Sequence, residues 1–564
     1  MKETWDQRTD VLVVGSGGGG MTAALTARDR GADALVIEKS GLYGGSTAMS
    51  GGSVWIPNNH LMKKAGLLDS PEEALAYLKA VTAGKVPEER LRAYVKAAPE
   101  MVKYLEEKSH VRFQIVPGYS DYYPGLAGGK PGGGRTVEAA PFDARKLGRT
   151  RAELRPLPRQ ARVFGRMMAT AYDAHRLLDS STPGRLRAAR IFALYFLNPF
   201  RSLAKTDTRL TLGNALAGRL RLSLADRHIL IWLNTSAGHL IVEGGRVVGV
   251  EAQKAGRSVR IRANKAVILA AGGFAHNKAM REKYQRQPIT AAWTVACSGD
   301  DGDGIRMGLE SGAMVDLMDD AWWMPTSLAP GQEMPNMSIV DRSLPGCIIV
   351  NKQGKRFTNE AAPYIDVVKN QYASHFSEGG AIPAYFIMDS RFRARYPAGP
   401  MMPMYTPKKF ISNGYLKVAD TLEGLAEKCG IDPKGLVAEV KKLNQYAATG
   451  RDLDFKKGDT AIDRFYADAS VRPNPCLGPL DRPPYCAIEL WPGDLGTKGG
   501  LVTDDHARVL RQDGSPIEGL YAIGNCSASV MGNSYAGAGA TIGPSMVFGY
   551  VAALHAVGQE VSGL

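Results

Sequence analysis

A group of glycines near the start of the chain has the spacing of a phosphate-binding loop. Gly15, Gly17 and Gly20 form a G-x-G-x-x-G pattern, and the acidic residue Glu38 follows about 20 residues later. Glycines let a backbone approach a pyrophosphate, and the free N–H groups at the start of a following helix can bind it. A carboxylate at Glu38 can accept hydrogen bonds from ribose hydroxyls. These residues therefore predict a dinucleotide-binding site.

The segments around the glycines have the order that this site requires. Residues 10–14 (DVLVV) form a short apolar run that favours a parallel strand buried on both faces. Residues 21–30 favour a helix that ends at Gly31, and residues 34–37 favour a second strand. Strand, glycine loop, helix, strand and acid within about 30 residues indicate a Rossmann-like α/β domain.

Further segments resemble the flavin-contacting parts of the fumarate reductase and ketosteroid dehydrogenase flavoprotein superfamily. They are residues 41–52 (GLYGGSTAMSGG), 267–274 (VILAAGGF), 354–360 (GKRFTNE), 519–525 (GLYAIGN) and 537–550 (GAGATIGPSMVFGY). The resemblance implies FAD as the cofactor. Residues 41–52 contain no histidine, so a non-covalent FAD is expected. The N-terminus of the last helix would face the flavin pyrimidine, where negative charge grows on reduction.

The residues expected to contact FAD lie in the glycine loop and in these segments. They are Gly15, Gly17, Gly18, Gly20, Glu38, Lys39, Gly45, Ser46, Gly51, Gly52, Gly273, Gly524, Asn525, Ala540 and Ile542. The six cysteines form no C-x-x-C pair and have no zinc-like spacing with a histidine, so no metal site is predicted.

The middle of the chain has a different composition. Prolines and aromatic residues increase between about residues 322 and 483, and residues 421–447 favour two amphipathic helices. In the superfamily such a segment is an α+β cap domain inserted into the flavin domain, with the substrate at the boundary. We therefore predict an FAD-binding domain in two parts, 1–321 and 484–564, interrupted by a cap at 322–483.

Within the superfamily, the sequence resembles one branch, the 3-ketosteroid Δ1-dehydrogenases. The matching pieces are residues 120–123 (SDYY), 359–364 (NEAAPY), 493–504 (GDLGTKGGLVTD) and 534–539 (SYAGAG). The family's three tyrosines and one glycine map onto Tyr122, Tyr364, Tyr535 and Gly539. The family usually has Tyr-Pro-Gly-Pro-Gly at the last site, whereas residues 535–539 lack both prolines. For the polar residues Asp121, Asp320 and Lys498 we expect only structural roles.

The resemblance implies roles that suit these residue types. Desaturation of C1–C2 beside a C3 ketone removes a proton from C2 and a hydride from C1. The phenol of Tyr535 and the N–H of Gly539 would stabilise the carbonyl oxygen, and Tyr364 would take the proton. Tyr122 would support Tyr364, although the adjacent Tyr123 is an alternative. FAD would accept the hydride, and an external acceptor would reoxidise it.

Three other functions compete with this one. A 3-ketosteroid Δ4-(5α)-dehydrogenase would use the same flavin with a shifted steroid. A fumarate-reductase-like enzyme would need cationic clamps for two carboxylates, and neither His276 nor His375 lies in a recognisable substrate motif. The non-enzymatic alternative is a membrane-attached flavin module for electron transfer, which the predicted cap and carbonyl site argue against.

A basic, apolar insertion accounts for much of the net charge of +14. Residues 151–221 contain thirteen arginines and one lysine against four acidic residues. Within about residues 163–208 we expect a helix at 162–178, a break at Pro183-Gly184 and a second helix at 185–198. The apolar stretch of the second helix is flanked by Arg185, Arg187, Arg190 and Arg201. This pattern favours binding to an anionic membrane surface over binding to a nucleic acid. The alternative is a helical hairpin that packs on the protein's own surface or on another subunit.

This insertion suggests a sterol substrate and a location. Fourteen helical residues span about 21 Å, too short to cross a bilayer. A docked enzyme could take cholest-4-en-3-one-like sterols from lipid, as in cholesterol degradation. The polar N-terminus and scattered thiols predict a cytoplasmic protein, peripheral on the inner face of the cytoplasmic membrane.

Overall fold

The computed structural model describes residues 5–176, 182–204, 206–377 and 379–561. Its largest sheet has eight strands, in the order β20-β21-β11-β1-β2-β8, with β10 paired to β11 and β9 paired to β10. They are β1 (Gln7–Val14), β2 (Ala34–Ile37), β8 (Leu230–Trp232), β9 (Thr235–Glu243), β10 (Arg246–Lys254), β11 (Arg257–Leu269), β20 (Arg508–Leu510) and β21 (Pro516–Ala522).

The centre of this sheet is the predicted Rossmann-like unit. Strand β1 pairs in parallel with both β2 and β11, and β21 joins β11 in parallel. The run Val11–Val14 is buried on both faces, as its unbroken hydrophobicity predicts. Parallel strands bring their carboxyl ends to one edge, where the glycine loop, Glu38 and the residues after β11 and β21 meet.

A second sheet contains the strands of the predicted cap. Its order is β14-β13-β18-β16-β15, with β17 paired to β18. The strands are β13 (Ala321–Ser327), β14 (Asn336–Met337), β15 (Cys347–Val350), β16 (Ala384–Met388), β17 (Lys417–Ala419) and β18 (Tyr485–Thr497). Strand β18 follows the predicted boundary at residue 483 but pairs with β13 and β16, which favours a boundary near residue 497.

Three small sheets complete the strands of the described residues. They are β3 (Ser53–Trp55), β4 (Phe113–Ile115) and β5 (Thr136–Ala139), then β6 (Phe142–Asp143) with β7 (Arg209–Leu210), and β12 (Val315–Asp316) with β19 (Gly500–Leu501). Short 3₁₀ helices lie at Ala144–Glu153, Arg159–Ala161, Ala291–Trp293, Asp341–Ser343 and Gly524–Cys526.

The α-helices surround both sheets. They are α1 (Gly18–Asp29), α2 (Gly45–Met49), α3 (His60–Lys64), α4 (Pro71–Thr82), α5 (Glu88–Lys108), α6 (Ala171–Arg176), α7 (Thr182–Phe196), α8 (Pro199–Ser202), α9 (Leu212–Asp226), α10 (Lys278–Tyr284), α11 (Asp303–Glu310), α12 (Tyr364–Ser377), α13 (Ser390–Arg395), α14 (Lys408–Ser412), α15 (Leu422–Cys429), α16 (Pro433–Thr449), α17 (Ala461–Phe465) and α18 (Ile542–Ala556). Helices α15 and α16 are the two amphipathic helices expected within residues 421–447.

The insertion is helical, but its helices differ from the predicted ones. The helix expected at 162–178 is wrong over its first turns, because Phe164 and Gly165 adopt left-handed backbone conformations in a turn that joins Val163 to Met167. Helix α6 begins only at Ala171, and residues 177–178 lie outside the described residues. Pro183 and Gly184 were expected to precede the second helix, but they lie in the first turn of α7. Proline is tolerated there, because the N–H groups of the first turn have no helical hydrogen bond to lose.

Candidate active site

The glycine loop forms a close-packed backbone cradle at the edge of the large sheet. Helix α1 begins at Gly18, and its N-cap Gly17 has no side chain to occupy the N–H groups of the first turn. A Cβ at Gly20 would lie 2.2 Å from the Gly15 carbonyl oxygen, and one at Gly15 would lie 2.3 Å from that of Ala270. Only glycine fits at these positions, so the cradle suits a pyrophosphate.

Glu38 lies at the end of β2, beside this loop. Its Oε2 accepts hydrogen bonds from the Ser16 N–H (3.2 Å) and hydroxyl (2.7 Å), and its Oε1 accepts from the Ser40 N–H and hydroxyl, both 3.0 Å. The next residue, Lys39, pairs with Asp301 at 2.6 Å and Asp303 at 2.8 Å. Glu38 thus orders the loop, and Lys39 joins it to the start of α11.

The second flavin segment contacts a carboxyl group that the sequence analysis did not select. Ser46 Oγ donates to Asp300 Oδ2 at 3.1 Å and accepts from the Cys297 N–H at 2.9 Å. Burial raises the pKa of Asp300 to about 7. Its surroundings in the sequence, residues 299–304 (GDDGDG), are a turn-like cluster of glycine and aspartate that could have drawn attention to it.

The remaining predicted FAD contacts line the same cradle. Gly45 and Ser46 open α2, Gly51 and Gly52 follow it, and Ala540 and Ile542 lie at the start of α18. A Cβ at Gly52 would lie 2.2 Å from the carbonyl carbon of Leu212, and a Cβ at Gly273 would lie 2.1 Å from Oγ1 of Thr497. Gly524 has a left-handed backbone, and Asn525 Oδ1 accepts from Trp322 Nε1 at 3.0 Å. A side chain at Gly52 or Gly273 would therefore overlap its neighbours, so glycine allows these segments to pack closely.

Three predicted catalytic tyrosines, from distant parts of the sequence, meet in one cluster. The ring centroids of Tyr122 and Tyr364 are 5.6 Å apart, those of Tyr122 and Tyr535 5.2 Å, and those of Tyr364 and Tyr535 5.5 Å. All three side chains are buried. Tyr364 is the first residue of α12, and Tyr535 lies in the loop before α18.

The three phenol groups influence one another's pKa values. Burial, Tyr535 and Tyr119 raise the pKa of Tyr364 well above 10, and Tyr122 opposes that shift. Burial also raises the pKa of Tyr535, opposed by hydrogen bonds with Thr541, Tyr364 and the Gly539 backbone. Thr541 Oγ1 donates to the Tyr535 oxygen at 3.0 Å. The phenol of Tyr535 and the backbone N–H of Gly539 therefore lie side by side.

The neighbouring Tyr123 points elsewhere. Its hydroxyl donates to Asp366 Oδ1 at 3.1 Å, away from the trio. Tyr122 is thus the residue of the pair that the structure brings to Tyr364.

Two tyrosines that the sequence analysis missed extend the cluster. The Tyr119 hydroxyl lies 3.5 Å from that of Tyr122 and 2.6 Å from that of Tyr466. The buried guanidinium of Arg342 lies near these rings, where its charge opposes the rise in the pKa of Tyr466. Tyr119 lies in the same GYSDYY stretch as Tyr122, whereas no local pattern marks Tyr466 or Arg342.

Gly539 lies where no other residue fits. Its φ is +91°, and a Cβ there would lie 2.5 Å from the Ser53 carbonyl carbon and from the Val54 nitrogen. The loop can therefore lie directly against β3 with its N–H aimed at the tyrosines.

Comparisons with known proteins agree with this geometry. The sequence matches the FAD binding domain family over residues 10–542. It is 44% identical to a 3-oxosteroid 1-dehydrogenase of Mycobacterium tuberculosis, over 98% of this chain and 99% of that protein. The chain belongs to the FAD-dependent 3-oxosteroid 1-dehydrogenase family. FAD is accordingly its cofactor, which the cradle of crowded glycines fits.

Solved structures place the chain within this family of dehydrogenases. The 3-ketosteroid Δ1-dehydrogenase from Sterolibacterium denitrificans, in complex with 1,4-androstadiene-3,17-dione, has a TM-score of 0.95 and 45% identity, covering 98% of this chain and 99% of its own. The 3-ketosteroid-Δ4-(5α)-dehydrogenase from Rhodococcus jostii RHA1 has a TM-score of 0.68 at 22% identity, covering 99% of both chains. That second likeness is one of fold.

Two simple predictions can also be checked. All six cysteines are buried free thiols, as their scattered spacing predicted. Among the described residues, every helix is too short or too polar to span a membrane.

Proposed function

We propose that the protein desaturates the C1–C2 bond of 3-keto-4-ene steroids. The observation that carries this proposal is the meeting of Tyr122, Tyr364 and Tyr535 with the Gly539 N–H, beside the FAD cradle. The family membership supports the same reaction.

The carbonyl end of the substrate would be held by Tyr535 and Gly539. Removing a proton from C2 places negative charge on the C3 oxygen, so donors aimed at that oxygen lower the barrier. The Tyr535 hydroxyl and the Gly539 N–H are adjacent and buried, where such hydrogen bonds are strong. One donor of this kind contributes roughly 3–4 kcal/mol.

Tyr364 would accept the C2 proton on its phenolic oxygen. Only the phenolate can do so, and burial opposes its formation by raising the pKa of Tyr364. Tyr122 and the buried charge of Arg342 favour the phenolate of Tyr364, whereas Tyr535 disfavours it. When bound, FAD supplies the acceptor for the C1 hydride. Loss of the C2 proton and the C1 hydride leaves a C1–C2 double bond.

Anaerobic mixing of the FAD-loaded enzyme with three compounds tests this reaction against its alternatives. We expect androst-4-ene-3,17-dione to bleach the flavin and to yield the 1,4-dien-3-one. A 5α-3-ketosteroid that bleaches the flavin and yields a 4-ene would instead indicate Δ4-(5α)-dehydrogenation. Bleaching by succinate alone would indicate dicarboxylate chemistry, and bleaching by none of them would favour an electron-transfer module.

We also propose that the insertion docks on a membrane surface and gives access to sterols such as cholest-4-en-3-one. Six apolar side chains on α7, α8 and the residues beside them are more than half exposed: Leu186, Leu194, Phe196, Leu197, Phe200 and Leu203. Arg185 and Arg190 are exposed on the same helix. An exposed apolar strip with cationic neighbours suits the headgroup region of an anionic bilayer.

Two of the four flanking arginines have protein partners instead. Arg201 pairs with the buried carboxylate of Asp207 at 2.7 Å, and Arg187 pairs with Asp173 at 3.2 Å. These pairs lie within the insertion, where they join α7 to α6 and α8 to the segment before β7. Attachment to the inner face of the cytoplasmic membrane follows as part of this proposal.

A further inference from the structure

The loop that carries Tyr535 has little rigidity of its own. Residues 532–540 (GNSYAGAGA) consist mainly of glycine and alanine and contain no proline. Gly532 and Gly539 both have left-handed backbones, with φ of +54° and +91°. Such a sequence loses much conformational entropy when it is ordered, so contacts from outside the loop must hold it.

The downstream half of the loop is held by neutral donors. The Ala536 carbonyl accepts from the Tyr77 hydroxyl at 2.6 Å and from the Tyr122 N–H at 3.0 Å. The Ala538 carbonyl accepts from Thr136 Oγ1 at 3.1 Å. These bonds fix the backbone after Tyr535 but leave its N-terminal side to other groups.

The N-terminal side makes backbone turn bonds, from the Ser534 N–H to the Met531 carbonyl at 3.1 Å and from the Gly532 N–H to the Ser529 carbonyl at 3.0 Å, and receives two lysine side chains from outside the loop. Lys369 Nζ donates to the carbonyl of Asn533, and Lys498 Nζ donates to the carbonyl of Ser534. Lys369 lies on α12, the helix that begins with Tyr364, and Lys498 directly follows β18. The last two carbonyls before Tyr535 therefore accept hydrogen bonds from two other parts of the protein. One donor lies on α12, the helix that carries the proposed base, and the other lies at the end of a strand of the second sheet.

The surroundings of Lys498 indicate that its position is specific. Its side chain is buried, its Nζ lies 4.4 Å from the ring centroid of Trp322, and its backbone N–H donates to the Asp320 carbonyl at 3.1 Å. The Trp322 ring in turn packs against Tyr535 at 4.8 Å. Burying a lysine is costly unless its ammonium makes hydrogen bonds, and here the bond goes to the Tyr535 loop.

Two carboxylates balance the two lysines. Asp320 Oδ2 lies 3.8 Å from Lys369 Nζ, and Asp366 faces both lysines from α12. Burial lowers the pKa of Lys498 to about 7, with Lys369 acting in the same direction and both carboxylates opposing it. A neutral amine still donates an N–H to Ser534, so the contact survives on both sides of that pKa.

We propose that Lys369 and Lys498 form a lysine clamp, a pair of positioning residues that fixes the Tyr535 phenol where it meets the substrate carbonyl. This inference rests on the proposed function and goes beyond the structural role expected for Lys498. Its physical basis is hydrogen bonding from two lysine side chains to a loop rich in glycine and alanine.

Amide hydrogen exchange tests the clamp without any substrate. In the FAD-loaded enzyme, Lys369→Met and Lys498→Met should each raise exchange of peptides covering residues 530–540 by about 10-fold, as expected for the loss of one buried hydrogen bond. The exposed Lys434 provides the matched control, Lys434→Met, which should leave exchange unchanged. Unchanged exchange in Lys369→Met would overturn the proposal even if Lys498→Met failed to fold.

Flavin reduction tests the consequence for catalysis. We expect Lys369→Met to slow anaerobic reduction by androst-4-ene-3,17-dione by about 10- to 100-fold, because a displaced oxyanion donor loses its contribution. The variant should also lose preference for that ketone over androst-4-en-17-one, which lacks the C3 oxygen, in flavin-perturbation titrations. Lys369→Arg, which retains the charge, should restore both.

The outcomes separate the clamp from the proposed function. If steroid does not reduce the flavin of the wild-type enzyme, the proposed function is contradicted. The amide hydrogen exchange result would still decide whether the lysine clamp exists. The clamp is wrong if steroid reduces the wild-type flavin and the Lys369→Met variant keeps, within twofold, both the wild-type rate of flavin reduction and the wild-type preference for the 3-ketone.

Discussion

Tyr364 is the proposed base, and its surroundings oppose the phenolate form that this role requires. Burial in the tyrosine cluster raises its pKa well above 10, while Tyr122 supports the phenolate. Since the base must be deprotonated, and a raised pKa leaves little phenolate near neutrality, activity should increase as the pH rises.

We therefore predict that the rate of flavin reduction rises by about tenfold per pH unit between pH 6 and 9. Tyr122→Phe removes the bond that lowers the pKa of Tyr364, so it should slow reduction across this range. Tyr123→Phe, whose hydroxyl binds Asp366, is the neighbouring control and should keep the wild-type profile. Stopped-flow absorbance gives the rates, and a flat wild-type profile would refute this account of the base.

At the scale of elements, the loop between β21 and α18 carries the two proposed oxyanion donors, and Gly539 determines its path. The left-handed backbone disfavours any other residue, and β3 leaves no room for a Cβ. We predict that Gly539→Ala lowers the free energy of unfolding by about 2 kcal/mol or more, from backbone strain and overlap.

The same substitution should also reduce the rate of flavin reduction, because the N–H of residue 539 moves. Gly125→Ala is the control, since no atom lies within 4 Å of a Cβ there. Chemical denaturation and stopped-flow reduction measure the two effects. Equal stability and rate in Gly539→Ala and Gly125→Ala would show that the loop tolerates a side chain.

The elements with strong local patterns were predictable from the sequence. The strand, glycine loop and helix at residues 10–30 follow from hydrophobic runs and glycine spacing, and the structure confirms them. The predicted start of the first insertion helix was wrong, because no strong sequence pattern marks the left-handed turn at Phe164 and Gly165. Tyr466, Arg342 and the lysine clamp depend on contacts between distant segments, which no spacing along the chain reveals.

At the scale of the whole molecule, the insertion is the feature that would place the enzyme on a membrane. We predict that Leu194→Asp, Leu197→Asp and Phe200→Asp together abolish co-sedimentation with anionic liposomes, because charges in the apolar strip oppose insertion among the headgroups. They should also lower turnover of liposomal cholest-4-en-3-one while sparing androst-4-ene-3,17-dione.

A matched triple variant controls for added charge. Leu68→Asp, Met404→Asp and Leu453→Asp alter three apolar residues outside the insertion that are 73–87% exposed, and they should leave liposome binding intact. Loss of binding in both triple variants would indicate a general charge effect, and loss in neither would exclude docking through α7 and α8.

The most direct test of the central claim compares wild-type and Tyr364→Phe enzymes, both loaded with FAD, on anaerobic mixing with androst-4-ene-3,17-dione. Phenylalanine keeps the ring contacts with Tyr122 and Tyr535 but cannot accept a proton. We expect wild type to bleach and form androsta-1,4-diene-3,17-dione, and the variant to bind steroid but bleach at least about 10³-fold more slowly. Bleaching of the variant at the wild-type rate, or a wild-type product without the C1–C2 double bond, would contradict the account.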